Sequence, residues 1–119
     1  MVILNADTGK IISSVPIGNG VDGAVFNPAT MEAFSSQRDG TLTVVKENSP
    51  TSFAVVQNVQ TKPGCKTCAL DLKNNRILTI CTERAPQPAG AADATPPTGG
   101  QRGNRGGGPG NLDVLWVGR

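Results

Sequence analysis

The chain has 119 residues, a formal net charge of +2 and no histidine. That length suits one ordinary domain, and the near-neutral charge demands neither a nucleic acid nor an anionic membrane as partner. The missing imidazole excludes His general bases, Ser-His-Asp triads and His-containing metal sites within these residues. There are 15 Gly and 9 Pro but only four aromatic side chains, Phe26, Phe34, Phe53 and Trp116, a balance that suits many short strands and not a helical bundle.

No apolar run approaches the roughly 20 residues needed to span a bilayer, so no membrane insertion is expected. The start, MVILNADTGK, lacks a cationic segment followed by a long apolar stretch, so no signal peptide is expected in this chain. These are the marks of a cytosolic protein or of a piece of an exported one.

Val2 to Leu4 is a short apolar run stopped by the turn-forming Asn5-Ala6-Asp7-Thr8-Gly9. Ile11, Ser13, Val15 and Ile17 then alternate with Ile12, Ser14 and Pro16, which predicts a strand, placed on an edge by Pro16. Gly18-Asn19-Gly20-Val21-Asp22-Gly23 matches G-x-G-x-x-G, but a dinucleotide loop needs a helix opening at the last glycine. Here Ala24-Val25-Phe26-Asn27 is too short for a helix and is closed by Pro28, so the run reads as a glycine-rich connector between strands.

Two short strands follow, Ala24 to Asn27 and Ala33 to Ser36, joined through Pro28-Ala29-Thr30-Met31. Asp39-Gly40 signals a tight turn into a third, Thr41 to Lys46. A turn at Asn48 to Thr51 leads to a fourth, in which Phe53, Val55, Gln57 and Val59 alternate with Ala54, Val56, Asn58 and Gln60. The pattern then restarts. Gly64 answers Gly20 at a distance of 44 residues, which sets Phe26 with Leu70, Asn27 with Asp71, Ala33 with Ile77, Phe34 with Leu78 and Ser35 with Thr79. This spacing is within the range of blade-type repeats. The third strand of the new unit is delayed by 85–111, made almost wholly of Ala, Pro, Gly, Thr, Gln, Asn and Arg, a composition that predicts a flexible surface insertion. Leu112 to Val117 supplies the delayed strand.

The order ADTGK, PIGNGVD, NPAT, DGTLTVVKE, LDLKNNRI and a closing LWVGR resembles the C-terminal part of YVTN-type (YncE-like) β-propeller repeat proteins, over nearly the whole chain. One departure is local: where Asp-Pro often closes a blade's first strand, this chain has Asn27-Pro28 and then Asp71-Leu72. The resemblance implies an all-β fold of four-stranded antiparallel propeller blades, with about two and a quarter blades' worth of strands present. Residues 1–20 would give the outer strands of one blade and 21–61 a complete blade. Residues 62–119 would give a last blade lacking its fourth strand. Such a partial propeller leaves sheet flanks uncovered, which implies missing blades as partners or self-association.

The resemblance further implies a periplasmic or extracellular location and a non-catalytic binding or scaffold role, with a protein or small-molecule ligand on the channel face and no cofactor. In propeller geometry that face carries Asp22, Gln37, Arg38, Asp39, Lys66 and Thr67, together with the insertion. An alternative is a fragment of a lactonase-like propeller hydrolase, which would need several acidic, Asn or His ligands converging on the axis. Asp22, Asp39, Asp71 and Glu83 read instead as turn-capping or solvated carboxylates. A further alternative, nucleic-acid binding through Gln101 to Gly108, rests on two arginines with no interleaved aromatic, a thin footprint.

Cys65-x-x-Cys68 with Cys81 leaves three readings open. The cysteines act as small apolar fillers, the leading reading; or Cys68 bridges to Cys81 on the neighbouring strand; or the three thiols hold zinc with a fourth ligand supplied from elsewhere. Against zinc, no second pair or histidine is present, and positions i and i+3 of an extended strand face opposite ways, so no metal site is expected.

Overall fold

Period-two alternation becomes antiparallel sheet. A computed structural model of the chain describes residues 1–83 and 111–118, in which nine strands and no helix occur. They are β1 (Val2–Leu4), β2 (Ile11–Ser14), β3 (Val21–Asn27), β4 (Glu32–Gln37), β5 (Thr41–Ser49), β6 (Ser52–Gln60), β7 (Lys66–Asp71), β8 (Arg76–Glu83) and β9 (Asn111–Gly118). Consecutive strands pair into a two-stranded sheet β1-β2, a four-stranded sheet β3-β4-β5-β6 and a three-stranded sheet β7-β8-β9. The chain is therefore all-β with antiparallel sheets. The insertion expected at 85–111, including the Arg/Gly-rich Gln101 to Gly108, lies outside the described residues except for Asn111, which opens β9.

Several boundaries differ from the sequence expectation, most at β2, β3 and the β5–β6 hairpin. β2 ends at Ser14; Val15 still donates its N–H to Met1 O, and the pairing goes no further because Pro16 has no N–H to give. β3 begins at Val21, so the last glycine of the glycine-rich run, Gly23, lies inside a strand. β5 and β6 extend to a two-residue turn at Pro50-Thr51, the extra length being absorbed by register shifts at Val44/Val45 and Glu47/Ser49.

The 44-residue spacing is visible in the backbone. Gly20 and Gly64 both adopt left-handed φ, +71° and +78°. Asn27 Oδ1 accepts the N–H of Ala29 (3.0 Å), and at the corresponding place Asp71 Oδ1 accepts that of Lys73 (3.1 Å). The two turns end alike, at Met31 (φ 53°) and Asn75 (φ 50°). Across the sheets, Asn27 Nδ2 donates to Asn75 Oδ1 at 2.6 Å, so the turns are joined as well as similar.

The core lies between the four- and three-stranded sheets. Leu42, Val44 and Ile77 are buried there, with Val25, Phe34 and Val59 packed around them from one sheet and Cys68, Leu70 and Val117 from the other. Close approach of β3 to β7 depends on Gly23. A Cβ at that position would stand 3.0 Å from the backbone nitrogen of Cys68 and 3.1 Å from Thr67 Cα, atoms that cannot swing aside. We expect Gly23→Ala to part these strands and lower stability by about 1–3 kcal/mol. Urea unfolding checks this, and an unchanged midpoint would show that the two strands separate freely.

Candidate functional site

Two β-bulges make the site. The register of β3 shifts between Val21 and Gly23, and that of β7 between Lys66 and Ala69. A bulge leaves a residue unpaired and re-aims its side chain. Asp22 is that residue in β3, and its carboxylate turns toward the neighbouring sheet. There Oδ2 accepts the Thr67 N–H at 2.7 Å, while Oδ1 pairs with Arg38 Nη2 at 3.3 Å. Thr67 has φ 54°, a left-handed conformation that is sterically costly for a β-branched residue. The Thr67 N–H, then Arg38, hold the Asp22 carboxyl below its ordinary 3.8, and the Lys66 charge adds to the effect.

Of the six residues expected on the channel face, Asp22, Arg38, Lys66 and Thr67 are thus brought together. The two connecting segments are stitched alongside them, Arg38 N–H donating to Gly20 O (3.0 Å) and Gly64 N–H to Arg38 O (2.9 Å). Asp39 adjoins Arg38 in the β4–β5 turn but faces the other way. Its Oδ2 accepts Asn19 N–H at 2.6 Å and its Oδ1 the Thr41 hydroxyl and N–H at 2.6 and 3.1 Å, bonds that lower its carboxyl as well, the Thr41 hydroxyl most. Gln37 is a correction. It is fully buried, with Oε1 against the hydroxyls of Thr41 (3.0 Å) and Thr43 (3.4 Å), so it supports the turn from beneath and offers nothing to a ligand.

The cysteines are a second correction. The bridge joins Cys65 to Cys81, and Cys68 is free. With the register Ala69↔Leu78 continued unbroken, Cys65 would have faced Thr82; the extra residue in β7 shifts the pairing to Lys66↔Ile80 and brings Cys65 opposite Cys81. Cys68, two residues before Leu70, shares its core side, where burial pushes its thiol pKa up and the free Cys behaves as a small apolar filler. The same pairing recurs in the repeat: 44 residues earlier, the corresponding positions Val21 and Gln37 are register partners.

Lys62 was also missed. Its ammonium bonds Asp113 Oδ2 at 2.6 Å and Glu83 Oε1, tying the lead into β7 to β8 and β9. These contacts raise the Lys62 pKa, and Lys62 in turn lowers that of Asp113. Asp71 caps its own turn through Asn74 and Lys73, which lowers its carboxyl. Among the described residues no three His, Cys, Asp or Glu side chains gather as a metal set, and no helix is long and apolar enough to cross a membrane. Elsewhere a largely apolar cleft of about 390 Å³ runs between β1–β2 and the four-stranded sheet, lined by Ile3, Ile12, Phe26, Ala33 and Phe53 among others. No protein family, curated protein or solved structure was found to match the chain.

Asp22, Asp39, Asp71 and Asp113 all have folded pKa values below the ordinary 3.8. A depressed carboxylate contributes stability that is complete above the unfolded pKa and is lost as pH falls through the folded one. Lys62, raised above 10.5, contributes stability that is complete below that value and fades only as pH rises through its folded pKa. We therefore expect urea midpoints to be level near neutrality and to fall below about pH 4, with a shallower fall in Asp22→Asn. Midpoints that rose on acidification would contradict this.

Proposed function

We propose that the chain is part of a β-propeller of the YVTN type and serves as a non-catalytic binding or scaffold module. β3–β6 would form one blade, β7–β9 three strands of the next, and β1–β2 the outer pair of the one before. The observation that carries the binding reading is the meeting of Asp22, Arg38, Lys66 and Thr67 across two sheets. The 44-residue recurrence of turns and the face-to-face packing of consecutive antiparallel sheets support the propeller reading. Arg38 spends one of its five N–H donors on Asp22 and stays exposed, as does Lys66, so the cluster can meet carboxylate or carbonyl groups of a protein or small molecule. The Cys65–Cys81 bridge supports a periplasmic or extracellular setting.

An NMR fragment screen tests the binding role. Hits should perturb the amides of Asp22, Arg38, Lys66 and Thr67 and weaken in Arg38→Ala. Hits confined to the Phe26 cleft, or none, would sink it.

Self-association is the second part of the reading, and it follows from the repeat. Leu42 and Val44 of β5 pair with Ser36 and Phe34, just as Val114 and Trp116 of β9 pair with Ile80 and Leu78. Leu42 and Val44 are 0% and 6% exposed under the neighbouring sheet, whereas Val114 and Trp116 are 48% and 56% exposed. Light scattering should find oligomers that dissociate when Val114→Glu and Trp116→Glu are combined. A wild-type chain that stays monomeric at all concentrations would count against it.

A further inference from the structure

We propose that the Cys65–Cys81 disulfide is a redox lock on the Thr67 kink, so that reducing it releases the Asp22–Thr67 bond between the sheets. Cys65 lies two residues before Thr67, and both bridged sulfurs are buried. From the same strand as Cys81, the Thr79 hydroxyl contacts the carbonyls of Thr67 (2.8 Å) and Lys66 (3.3 Å). The left-handed Thr67 is thus clasped from β8 at two points, one covalent. Such a backbone persists only where its surroundings over-determine it.

The comparison within the chain is what assigns the bridge this task. In the preceding repeat the partners Val21 and Gln37 are unlinked, and the residue at the Thr67 position is Gly23, which does not adopt a left-handed φ. The covalent link is present where the strained residue is, and missing where it is not. With the bridge cut, the ties left on this lead include the Thr61 N–H to Gly40 O and Gly64 N–H to Arg38 O bonds, the Lys66↔Ile80 pairing, the Thr79 contacts and the ion pairs of Lys62. Those ion pairs are partly open to solvent, which screens them.

The chemistry is a two-electron exchange with a dithiol. One dithiol sulfur, as thiolate, attacks a bridge sulfur and displaces the other; the second dithiol sulfur then closes on the first and expels the remaining cysteine. The Cys65–Cys81 bond breaks, the reductant leaves as a cyclic disulfide, and its two protons end on the two cysteine sulfurs. Because the bridge is buried, attack requires the lead into β7 to open first, so the lock resists mild reductant. The consequence for ligand binding rests on the role proposed above for the Asp22 cluster; the lock itself does not.

Hydrogen exchange at the Thr67 amide tests the lock without any ligand, so it can fail while the binding reading stands, or hold while that reading fails. The oxidised chain is compared with chain reduced by dithiothreitol, cleavage being verified, in the Cys68→Ser background used throughout, by alkylation of two thiols in place of none. Cys65→Val combined with Cys81→Gln imports the unlinked pair of the preceding repeat, and Cys68→Ser in all samples prevents thiol exchange. Thr67 should exchange roughly tenfold faster or more in both unbridged forms, while Ile77 and Leu78 keep their protection. Unchanged Thr67 exchange after verified cleavage would overturn the lock. So would a uniform loss of protection along β8, which would make the bridge a general brace.

Discussion

One carboxylate decides how the two larger sheets meet. Asp22 leaves the ladder of β3 at a bulge and accepts the backbone N–H that Thr67 frees at the bulge of β7. At the other end of β3, Asn27 reaches Asn75. Between these two hydrogen bonds lies the small core of Leu42, Val44 and Ile77. With few aromatic side chains to fill space, apolar burial alone fixes the relative position of two sheets weakly. Directional bonds at both ends supply the missing definition, and Gly23 allows the backbones close enough for them to form.

The two repeats show what a common framework requires and what it leaves free. Left-handed glycines at 20 and 64, side-chain-capped turns after 27 and 71, and left-handed turn endings at 31 and 75 recur because each strand pair needs them. Each sheet also has a bulge at this end, yet the surroundings differ: in one Asp22 is unpaired beside Gly23, which permits close packing, and in the other a strained Thr67 lies beside a covalent bridge. Side chains at matching places therefore serve different ends on one backbone.

Much of this was legible in the sequence. Alternation located some of the strands, short apolar runs and the restart of the pattern the others, and the glycine and turn residues gave the 44-residue offset. The end-face cluster came in large part from fold analogy, and the structure gathers four of its six members. What could not be read was register. A bulge adds one residue and reverses the facing of everything beyond it. Counting by twos therefore put Cys65 and Cys68 on opposite faces and paired the wrong cysteine with Cys81. Gln37 looked like a surface residue because it adjoins a turn; that its side chain turns inward, toward Thr41 and Thr43, depends on a neighbour in the ladder. Lys62 carries no local signal, since Asp113 is 51 positions away.

The uncovered outer face of β9 also has a spectroscopic consequence. The chain has one tryptophan and no tyrosine, and that indole, Trp116, is more than half exposed. Its emission therefore reports whether the outer face of the three-stranded sheet is wet or covered. The one aromatic ring packed on the buried cluster of Leu42, Val44 and Ile77 is that of Phe34, so loss of the core between the sheets is silent in tryptophan emission unless it carries β9 with it.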